Sequence, residues 1–316
     1  MSDRLTVGVC GLGQMGAAVA VSFKQAGYRV LAWDNAASQR ESFVARAEKL
    51  ESWLDEHGPL AATAGGVIES QVDSDALDKH ADFLLDCITE DMALKIKLFK
   101  CFPGARKREA VFITTTSGLS ITQMGRESEC GHLLAGTHFW NPPHLMPLVE
   151  VIRGTETPDR IMDRVCQLVT SIGKIPVRVN RDVPGFIGNR LLHALWREAI
   201  SLVERDIATP EDIDLVARLT FGLRLPVMGP LENMDLVGLD LVERIHQYLL
   251  DDIADNHGPS ELLTQRACEQ HLGMKTGKGF YDWTTRSGAE LIDRRDKQIV
   301  RQLEYLKELD KQQEDT

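Results

Sequence analysis

Three glycines at fixed spacing, placed directly after an apolar run, constrain the fold of this chain most. Gly11, Gly13 and Gly16 follow the strand-like run Leu5–Cys10 and open a segment of helical composition. The first glycine permits a tight turn, the second lets the backbone approach a pyrophosphate, and the third lets the helix pack closely on the strand. The spacing therefore predicts a strand–turn–helix unit whose helix start presents free N–H groups to an anion.

Strand-like runs recur along the first half of the chain, and helix-length segments separate most of them. The runs are Leu5–Cys10, Arg29–Trp33, Phe83–Ile88, Val111–Thr115, Leu133–Phe139 and Pro176–Val179. This alternation indicates an α/β domain, a parallel sheet with helices on its faces. Beyond Asp182-Val-Pro-Gly185 the pattern predicts helices only. A length of 316 residues suits two domains, which we place at residues 1–183 and 184–316.

Helical patterns are clear at several places. An apolar stripe predicts a helix over 186–205, and another helix is predicted over about 36–60. Thr209 is a predicted N-cap, followed by Pro210 at the first helical position and Asp212 in the first turn. The charged tail, residues 290–316, carries Ile292, Ile299, Leu303 and Leu306 on one helical face. This face indicates that the tail packs against another protein surface, and a contact with a second subunit is one option. Lys275-Thr-Gly-Lys-Gly279 lacks the spacing of a phosphate-binding loop and is interpreted as a turn.

Charge and composition argue against several classes of protein. A net charge of −11 makes a nucleic-acid partner unexpected. We expect no membrane span, because no apolar run approaches the ~18 residues that a span requires, and no signal peptide is recognisable. Six scattered cysteines without a CxxC pair suggest neither zinc nor a disulfide framework. We therefore expect a cytoplasmic protein without a metal.

A carboxylate after the second strand-like run extends the glycine pattern. The glycine-rich loop consists of Gly11, Leu12, Gly13, Gln14, Met15 and Gly16. Asp34 ends the second run, 18 residues past Gly16. A carboxylate there can accept hydrogen bonds from a ribose diol and repels a 2′-phosphate. The sequence therefore predicts a dinucleotide site for NAD rather than NADP.

The segment from His138 to Glu150 contains an imidazole and a carboxylate in apolar surroundings. In strand geometry Leu148, Glu150 and Ile152 share one face, and a carboxylate between aliphatic side chains is costly unless it is paired. His138 is the obvious partner, and a histidine oriented by a carboxylate is suited to general base catalysis near neutral pH. Taken alone, the segment is more simply interpreted as two separate polar residues, one of them a surface histidine; the rest of the chain favours the pair.

Two further polar residues occupy positions typical of a site. Ser117 follows the run Val111–Thr115 at its carboxyl end, where open α/β sheets bind ligands. Asn189 lies three residues from both Phe186 and Leu192, on the apolar side of its predicted helix, where an amide needs partners. A simpler interpretation of Ser117 is that it forms a turn with Gly118.

Taken together, these motifs resemble those of the 3-hydroxyacyl-CoA dehydrogenase family, from about Leu5 to Trp283. The resemblance rests on Gly11-x-Gly13-x-x-Gly16, Thr116-Ser117, His138-x-x-Asn141-Pro142, Leu148-Val-Glu150, Pro184-Gly-Phe-Ile-x-Asn189-Arg190, Met228-Gly-Pro230, Val237-Gly-Leu-Asp240 and Lys275-Thr-Gly-Lys-Gly-Phe-Tyr281. It implies a Rossmann-like N-terminal domain and an all-α C-terminal domain that forms most of a homodimer interface.

The resemblance also implies roles for individual residues. It makes the protein an NAD-dependent oxidoreductase that converts an L-3-hydroxyacyl substrate to the 3-keto product. His138 is the implied general base and Glu150 orients it, while Asn141 supports His138. Ser117 and Asn189 are implied to hold the reacting oxygen. Glu90 and Lys95 are implied contacts of the nicotinamide half of the cofactor.

Some residues depart from the pattern of the acyl-CoA members. Those members usually carry a lysine where this chain has Pro147, and this chain has His144 and Gly118 in the neighbouring motifs. These features resemble carnitine, gulonate and pyridine-carboxylate dehydrogenases, which act on small free acids. Residues 36–80 hold nine acidic against four basic residues, whereas coenzyme A phosphates favour cations. An acyl-CoA and a small hydroxy acid both stay open as substrates, as does a non-catalytic, crystallin-like structural role.

Overall fold

The computed structural model describes residues 5–57 and 65–314, which divide after Arg190 into two compact units. The first unit contains an eight-stranded sheet. Its strands are β1 (Thr6–Cys10), β2 (Arg29–Trp33), β3 (Val67–Ser70), β4 (Phe83–Asp86), β5 (Val111–Thr114), β6 (Leu134–Phe139), β7 (Leu148–Ile152) and β8 (Ile175–Val179). The strand order is β3-β2-β1-β4-β5-β6-β7-β8, and strands β1 to β6 are mutually parallel.

The two last strands run the other way. Strand β7 pairs antiparallel with β6, and β8 pairs parallel with β7. The mainly parallel sheet predicted from the alternating runs is therefore confirmed, with this reversal at one edge. Strand β3 was not predicted, because its four residues are all partly or fully exposed and do not form an apolar run.

Helices cover the sheet of the first unit. They are α1 (Gln14–Gln25), α2 (Ala37–His57), α3 (Asp75–His80), α4 (Met92–Lys100), α5 (Pro103–Lys107), α6 (Ile121–Ser128) and α7 (Asp159–Ser171). The helix predicted over about 36–60 is observed as α2, which buries Phe43, Ala47 and Leu54; residues 58–60 lie outside the described residues. Strands β1, β4 and β5 are buried along their whole length, which is typical of a sheet covered on both faces.

The second unit is built from helices. Helix α8 (Gly188–Glu204) begins in the first unit, and the others are α9 (Pro210–Leu219), α10 (Phe221–Arg224), α11 (Pro230–Val237), α12 (Leu239–Leu249), α13 (Glu261–Cys268) and α14 (Gly288–Glu314). The Thr209 side chain accepts a hydrogen bond from the Asp212 amide, which confirms the predicted N-cap. Residues 275–279 form the predicted turn, with Gly277 at φ +79°. Within the described ranges no helix is both long and apolar enough to cross a membrane.

The strand order positions a site at the carboxyl ends of the parallel strands. The chain leaves β1 toward β2 on one side, whereas β4, β5 and β6 follow on the other side. Ligands of open α/β sheets bind at such a switch in strand order, at the carboxyl ends of the strands. The fold brings four of the predicted site residues to this same end of the sheet, because each lies at or beyond the carboxyl end of its strand: Gly11, Glu90, Ser117 and His138.

Gly16→Ala tests the close contact between α1 and β1. A Cβ atom at Gly16 would stand 1.8 Å from the Gly11 carbonyl oxygen, whereas one at Gly258 would meet nothing within 4 Å. We expect Gly16→Ala to lower the free energy of unfolding by about 1–3 kcal/mol, measured by urea denaturation. The control Gly258→Ala should change it by less than about 0.5 kcal/mol. Equal stabilities of the two variants would contradict the close contact.

Candidate active site

The glycine-rich turn after β1 leaves an open surface at the start of α1. Gly11 has φ +95° and would carry a Cβ within 2.7 Å of the Cys87 backbone, so only glycine fits there. By contrast, a Cβ at Gly13 would meet nothing within 4 Å. Gly13 is also the N-cap of α1 and supplies no side-chain cap. The first N–H groups of α1 therefore face an open space of the kind that a pyrophosphate occupies.

Asp34 ties the end of β2 to this turn. Its Oδ2 accepts a hydrogen bond of 2.8 Å from the Leu12 amide, and its Oδ1 accepts one of 2.9 Å from the Ala36 amide. Arg46 donates to the Leu12 carbonyl, which holds the same turn from α2. Each carboxylate oxygen keeps a lone pair, so Asp34 can still accept a hydrogen bond from a ribose hydroxyl. The residues present therefore fit a dinucleotide.

Glu90 and Lys95 belong to a network beneath the turn after β5. Glu90 Oε1 accepts hydrogen bonds from Thr116 Oγ1 at 2.5 Å and from the Ser117 amide at 2.8 Å. The Lys95 ammonium is buried, forms an ion pair with Asp86, and lies 3.7 Å from Glu90 Oε2. Glu90 is partly exposed while Lys95 is 1% exposed. The buried Lys95 therefore lies beneath Glu90, and Glu90 holds the Ser117 turn by hydrogen bonds.

His138 and Glu150 face each other directly across the β6–β7 pair. Their side chains meet, with His138 Nδ1 2.6 Å from Glu150 Oε2. Both are nearly inaccessible to solvent, with side-chain exposures of 6% and 2%. Trp140 and Phe186 flank the imidazole, with ring centroids 4.9 and 5.8 Å away. The geometry brings together the two residues that the sequence pairs, in surroundings that exclude water.

The other oxygen of Glu150 holds the start of α8. Glu150 Oε1 accepts hydrogen bonds from the Ile187 amide at 2.8 Å and from the Gly188 amide at 3.0 Å. Burial would raise the pKa of the Glu150 carboxyl, but the hydrogen bonds from His138, Gly188 and Ile187 outweigh it and leave this pKa below its ordinary value. The carboxylate therefore stays charged beside the imidazole.

The turn that leads into α8 has a strained and tightly packed backbone. Phe186 is buried at φ +51°, next to Gly185 at φ +76°. A Cβ at Gly188 would stand 2.1 Å from Trp140 Cζ2, so glycine is needed where α8 meets the aromatic ring. Sequence reasoning missed the contributions of Phe186 and Gly188, although two glycines around an aromatic residue at the start of a helix were a visible signal.

A hydrogen bond joins Ser117 and Asn189, whereas Asn141 has no such bond to the other predicted site residues among those the structure describes. The Asn189 side-chain amide donates a hydrogen bond of 2.9 Å to the Ser117 carbonyl oxygen. Asn189 is half-buried, and Ser117 is exposed. Asn141 is exposed in the loop after β6 and, within the described part of the chain, makes no hydrogen bond to His138. The structure therefore connects Ser117, Asn189, Glu150 and His138 through α8 and leaves Asn141 outside that chain of contacts.

Comparison with known proteins identifies the family. The model of the 3-hydroxyacyl-CoA dehydrogenase NAD binding domain matches residues 6–183, and that of the C-terminal domain matches residues 185–283. The chain belongs to the 3-hydroxyacyl-CoA dehydrogenase family. It is therefore an NAD-dependent oxidoreductase that acts on CH–OH groups.

Relatives within the 3-hydroxyacyl-CoA dehydrogenase family carry two kinds of name. The 5-formyl-3-hydroxy-2-methylpyridine 4-carboxylate 5-dehydrogenase of Mesorhizobium japonicum is 30% identical over 295 residues, which cover 93% of this chain and 96% of that protein. A probable 3-hydroxybutyryl-CoA dehydrogenase of Deinococcus radiodurans is 37% identical over 288 residues, covering 87% and 99%.

Solved structures of the family repeat this division. The crystal structure of a 5-formyl-3-hydroxy-2-methylpyridine 4-carboxylic acid 5-dehydrogenase, described as an NAD+-dependent dismutase, superposes with a TM-score of 0.90 at 29% identity and covers 96% of this chain and 99% of its own. The (S)-3-hydroxybutyryl-CoA dehydrogenase of Ralstonia eutropha superposes with a TM-score of 0.70 at 28% identity and covers 89% and 99%.

Glu150→Gln tests the charge of the buried carboxylate through pH. Because the pKa of Glu150 is lower in the folded protein than its ordinary value of 4.5, the charge stabilises the fold at neutral pH. This stabilisation disappears as the pH falls through the lowered pKa. We expect urea unfolding to show a less stable Glu150→Gln variant at pH 7 and a smaller difference from wild type toward pH 3.

The exposed Glu48 provides a matched control for this comparison. Glu48→Gln should unfold like the wild type across the same pH range. A difference between wild type and Glu150→Gln that stays constant with pH would contradict a charged, hydrogen-bonded Glu150.

Proposed function

We propose that this protein oxidises the hydroxyl group of a hydroxyacyl substrate to a carbonyl, with His138 as the general base. The 2.6 Å contact between His138 Nδ1 and Glu150 Oε2 carries the proposal. A carboxylate at that distance holds the proton on Nδ1, so Nε2 is the ring nitrogen that accepts a proton from the substrate. Glu150 also stabilises the imidazolium that forms.

The remaining site residues orient the substrate and cofactor. Ser117 Oγ and the second N–H of the Asn189 amide are proposed to bind the reacting oxygen, because Asn189 is already fixed on the Ser117 carbonyl. Asn141 is proposed to support His138 when substrate is bound. Donors held in place before the reaction stabilise charge on the oxygen without reorganisation.

Gly11 to Gly16 would hold the pyrophosphate of NAD, and Asp34 would hold a ribose. Glu90 would lie beside the nicotinamide half, and Lys95 would act by fixing Glu90 from below, given its burial against Asp86. When bound, NAD+ supplies the acceptor for the hydride that leaves the substrate carbon. The residues of the chain position the two reactants and move the proton.

A small free hydroxy acid, rather than an acyl-CoA, is the substrate class that we favour. The pyridine-carboxylate dehydrogenase superposes with a TM-score of 0.90, whereas the hydroxybutyryl-CoA dehydrogenase superposes with a TM-score of 0.70. A 3-hydroxyacyl-CoA dehydrogenase of Archaeoglobus fulgidus covers the same 96% of this chain as the pyridine-carboxylate enzyme but superposes with a TM-score of 0.66. The greater similarity in structure to the enzyme named for a free acid supports this class.

His138→Gln tests the general base. We expect kcat to fall by about 10²–10⁴, measured by NADH absorbance, while the Kd for NAD+ measured by calorimetry stays unchanged. The control His132→Gln alters an exposed histidine at the opposite end of β6 and should keep full activity. Turnover of His138→Gln near that of wild type would refute the assignment.

The same assay separates the substrate classes. The panel contains L-3-hydroxybutyryl-CoA, L-carnitine, L-gulonate and a hydroxymethyl pyridine carboxylate. A higher kcat/KM for a free acid than for the CoA thioester supports the favoured class. The reverse order would show that the substrate is an acyl-CoA. Bound NAD+ without turnover of any compound would indicate the non-catalytic alternative.

We also propose that the helical unit pairs with a second copy of this chain. None of the described residues from 191 to 309 is buried. Large apolar side chains there are exposed, among them Leu231 at 73% and Leu236 at 74% on α11. A helical unit with this much exposed apolar surface needs another surface to cover it.

Sedimentation velocity tests the pairing. We expect the wild type to sediment as a dimer, and the double variant Leu231→Asp, Leu236→Asp to shift toward monomer at micromolar concentration, because a charge is costly in an apolar contact. The control Val72→Asp changes an equally exposed residue of the first unit, at 81% exposure, and should stay dimeric. A wild-type monomer would refute the proposal.

A further inference from the structure

A buried ion pair lies beneath the site at the carboxyl end of β4. Asp86 is the last residue of β4. It pairs with the Lys95 ammonium of α4, and the two side chains are 0% and 1% exposed. Burial raises the pKa of the Asp86 carboxyl, whereas the Lys95 ammonium lowers it. Because a buried ion pair is often no more stable than apolar residues of the same size, stability alone does not explain these two charges.

Glu90 adds a third charge to this pair, and its side chain reaches the surface, at 44% exposure. Among the described residues, Lys95 is the one cation within 4 Å of it, 3.7 Å from Glu90 Oε2. The Thr116 hydroxyl and the Ser117 amide hold the other carboxylate oxygen in place. Because Asp86 already balances the ammonium, the three side chains together carry one negative charge. Glu90 presents that charge to the surface of the site.

The strand order indicates which half of the dinucleotide faces Glu90. Asp34 follows β2, on one side of β1, whereas Glu90 and Ser117 follow β4 and β5, on the other side. A dinucleotide lies across this switch in strand order, with its pyrophosphate at the start of α1. With the adenosine ribose at Asp34, the nicotinamide half extends toward Glu90. This placement is part of the proposed function, on which the inference below rests.

We propose that Asp86, Lys95 and Glu90 form a charge group that distinguishes the oxidised from the reduced cofactor. The nicotinamide ring of NAD+ carries a positive charge that the ring of NADH lacks, whereas the adenosine halves of the two are identical. One negative charge beside the ring therefore attracts the oxidised form selectively. Glu90 supplies that charge. Asp86 preserves it by balancing Lys95, so Asp86 is a positioning residue that acts without touching the cofactor.

Calorimetry of NAD+, NADH and ADP-ribose, which lacks the nicotinamide, tests the charge group. Asp86→Asn leaves Lys95 to balance Glu90, so the net charge of the group becomes zero. We expect the ratio of the Kd of NAD+ to the Kd of NADH to rise about three- to ten-fold over wild type, with the Kd of ADP-ribose unchanged. Glu90→Gln should raise the ratio in the same way. Because Glu90 is partly exposed, this variant keeps the test valid even if Asp86→Asn fails to fold.

A double variant separates charge from structural support. Asp86→Asn combined with Lys95→Met removes the buried pair and leaves the charge of Glu90, so the group again carries one negative charge. We expect the double variant to recover the wild-type ratio of Kd values, whereas loss of a purely structural contact would not be reversed by a second loss. The control Glu48→Gln removes an exposed carboxylate of α2 and should leave all three Kd values unchanged. Circular dichroism establishes that each variant is folded.

Two results would overturn the proposal and leave the proposed function intact. One is an equal weakening of NAD+ and NADH by Glu90→Gln, which would show that Glu90 contacts the nicotinamide half without selecting its charge. The other is a double variant whose ratio stays at that of Asp86→Asn. A Glu90→Gln variant that binds NAD+ and NADH like wild type would overturn both, because Glu90 would then not lie beside the nicotinamide half. Turnover of His138→Gln tests the general base independently of all three results.

Discussion

The carboxylate of Glu150 holds together three segments that are distant in the sequence. One oxygen accepts the bond from His138 on β6, and the other accepts the Ile187 and Gly188 amides at the start of α8. A buried carboxylate without these donors would be costly, and the amides at the start of α8 would lack an acceptor. The Glu150 carboxylate and the two amides therefore offset each other's cost of burial. The same helix start also positions Asn189, which donates a hydrogen bond to Ser117.

The reversal of β7 makes this contact possible. In an antiparallel pair, residues on facing positions stand directly opposite each other, and His138 and Glu150 occupy such positions. A loop of eight residues joins the two strands, and its first aromatic residue, Trp140, returns onto the imidazole. Parallel strands need a longer crossover connection, so a seventh parallel strand would not place a carboxylate this close in sequence beside His138.

The two units of the chain differ in how they satisfy their apolar side chains. The first unit buries a sheet between helices, so the residues of its apolar runs are also residues of its core. The second has amphipathic helices but no buried residue among 191–309. Helical periodicity predicted α2 in the first unit and α8, most of which lies in the second, because it reports which face is apolar and not what covers that face.

The sequence by itself determined the local structure: the glycine turn after β1, the Thr209 cap, most strands and the order of the elements. These features depend on residues a few positions apart, whose steric and hydrogen-bonding preferences act in any context. Tertiary structure decided the rest. It placed Lys95 below Glu90 against Asp86, put Phe186 in a left-handed conformation beside His138, added the short edge strand β3, and, among the described residues, left Asn141 without a hydrogen bond to the imidazole. Those outcomes depend on which distant segments meet, and the free energy of such contacts is set by burial and pairing that no local pattern encodes.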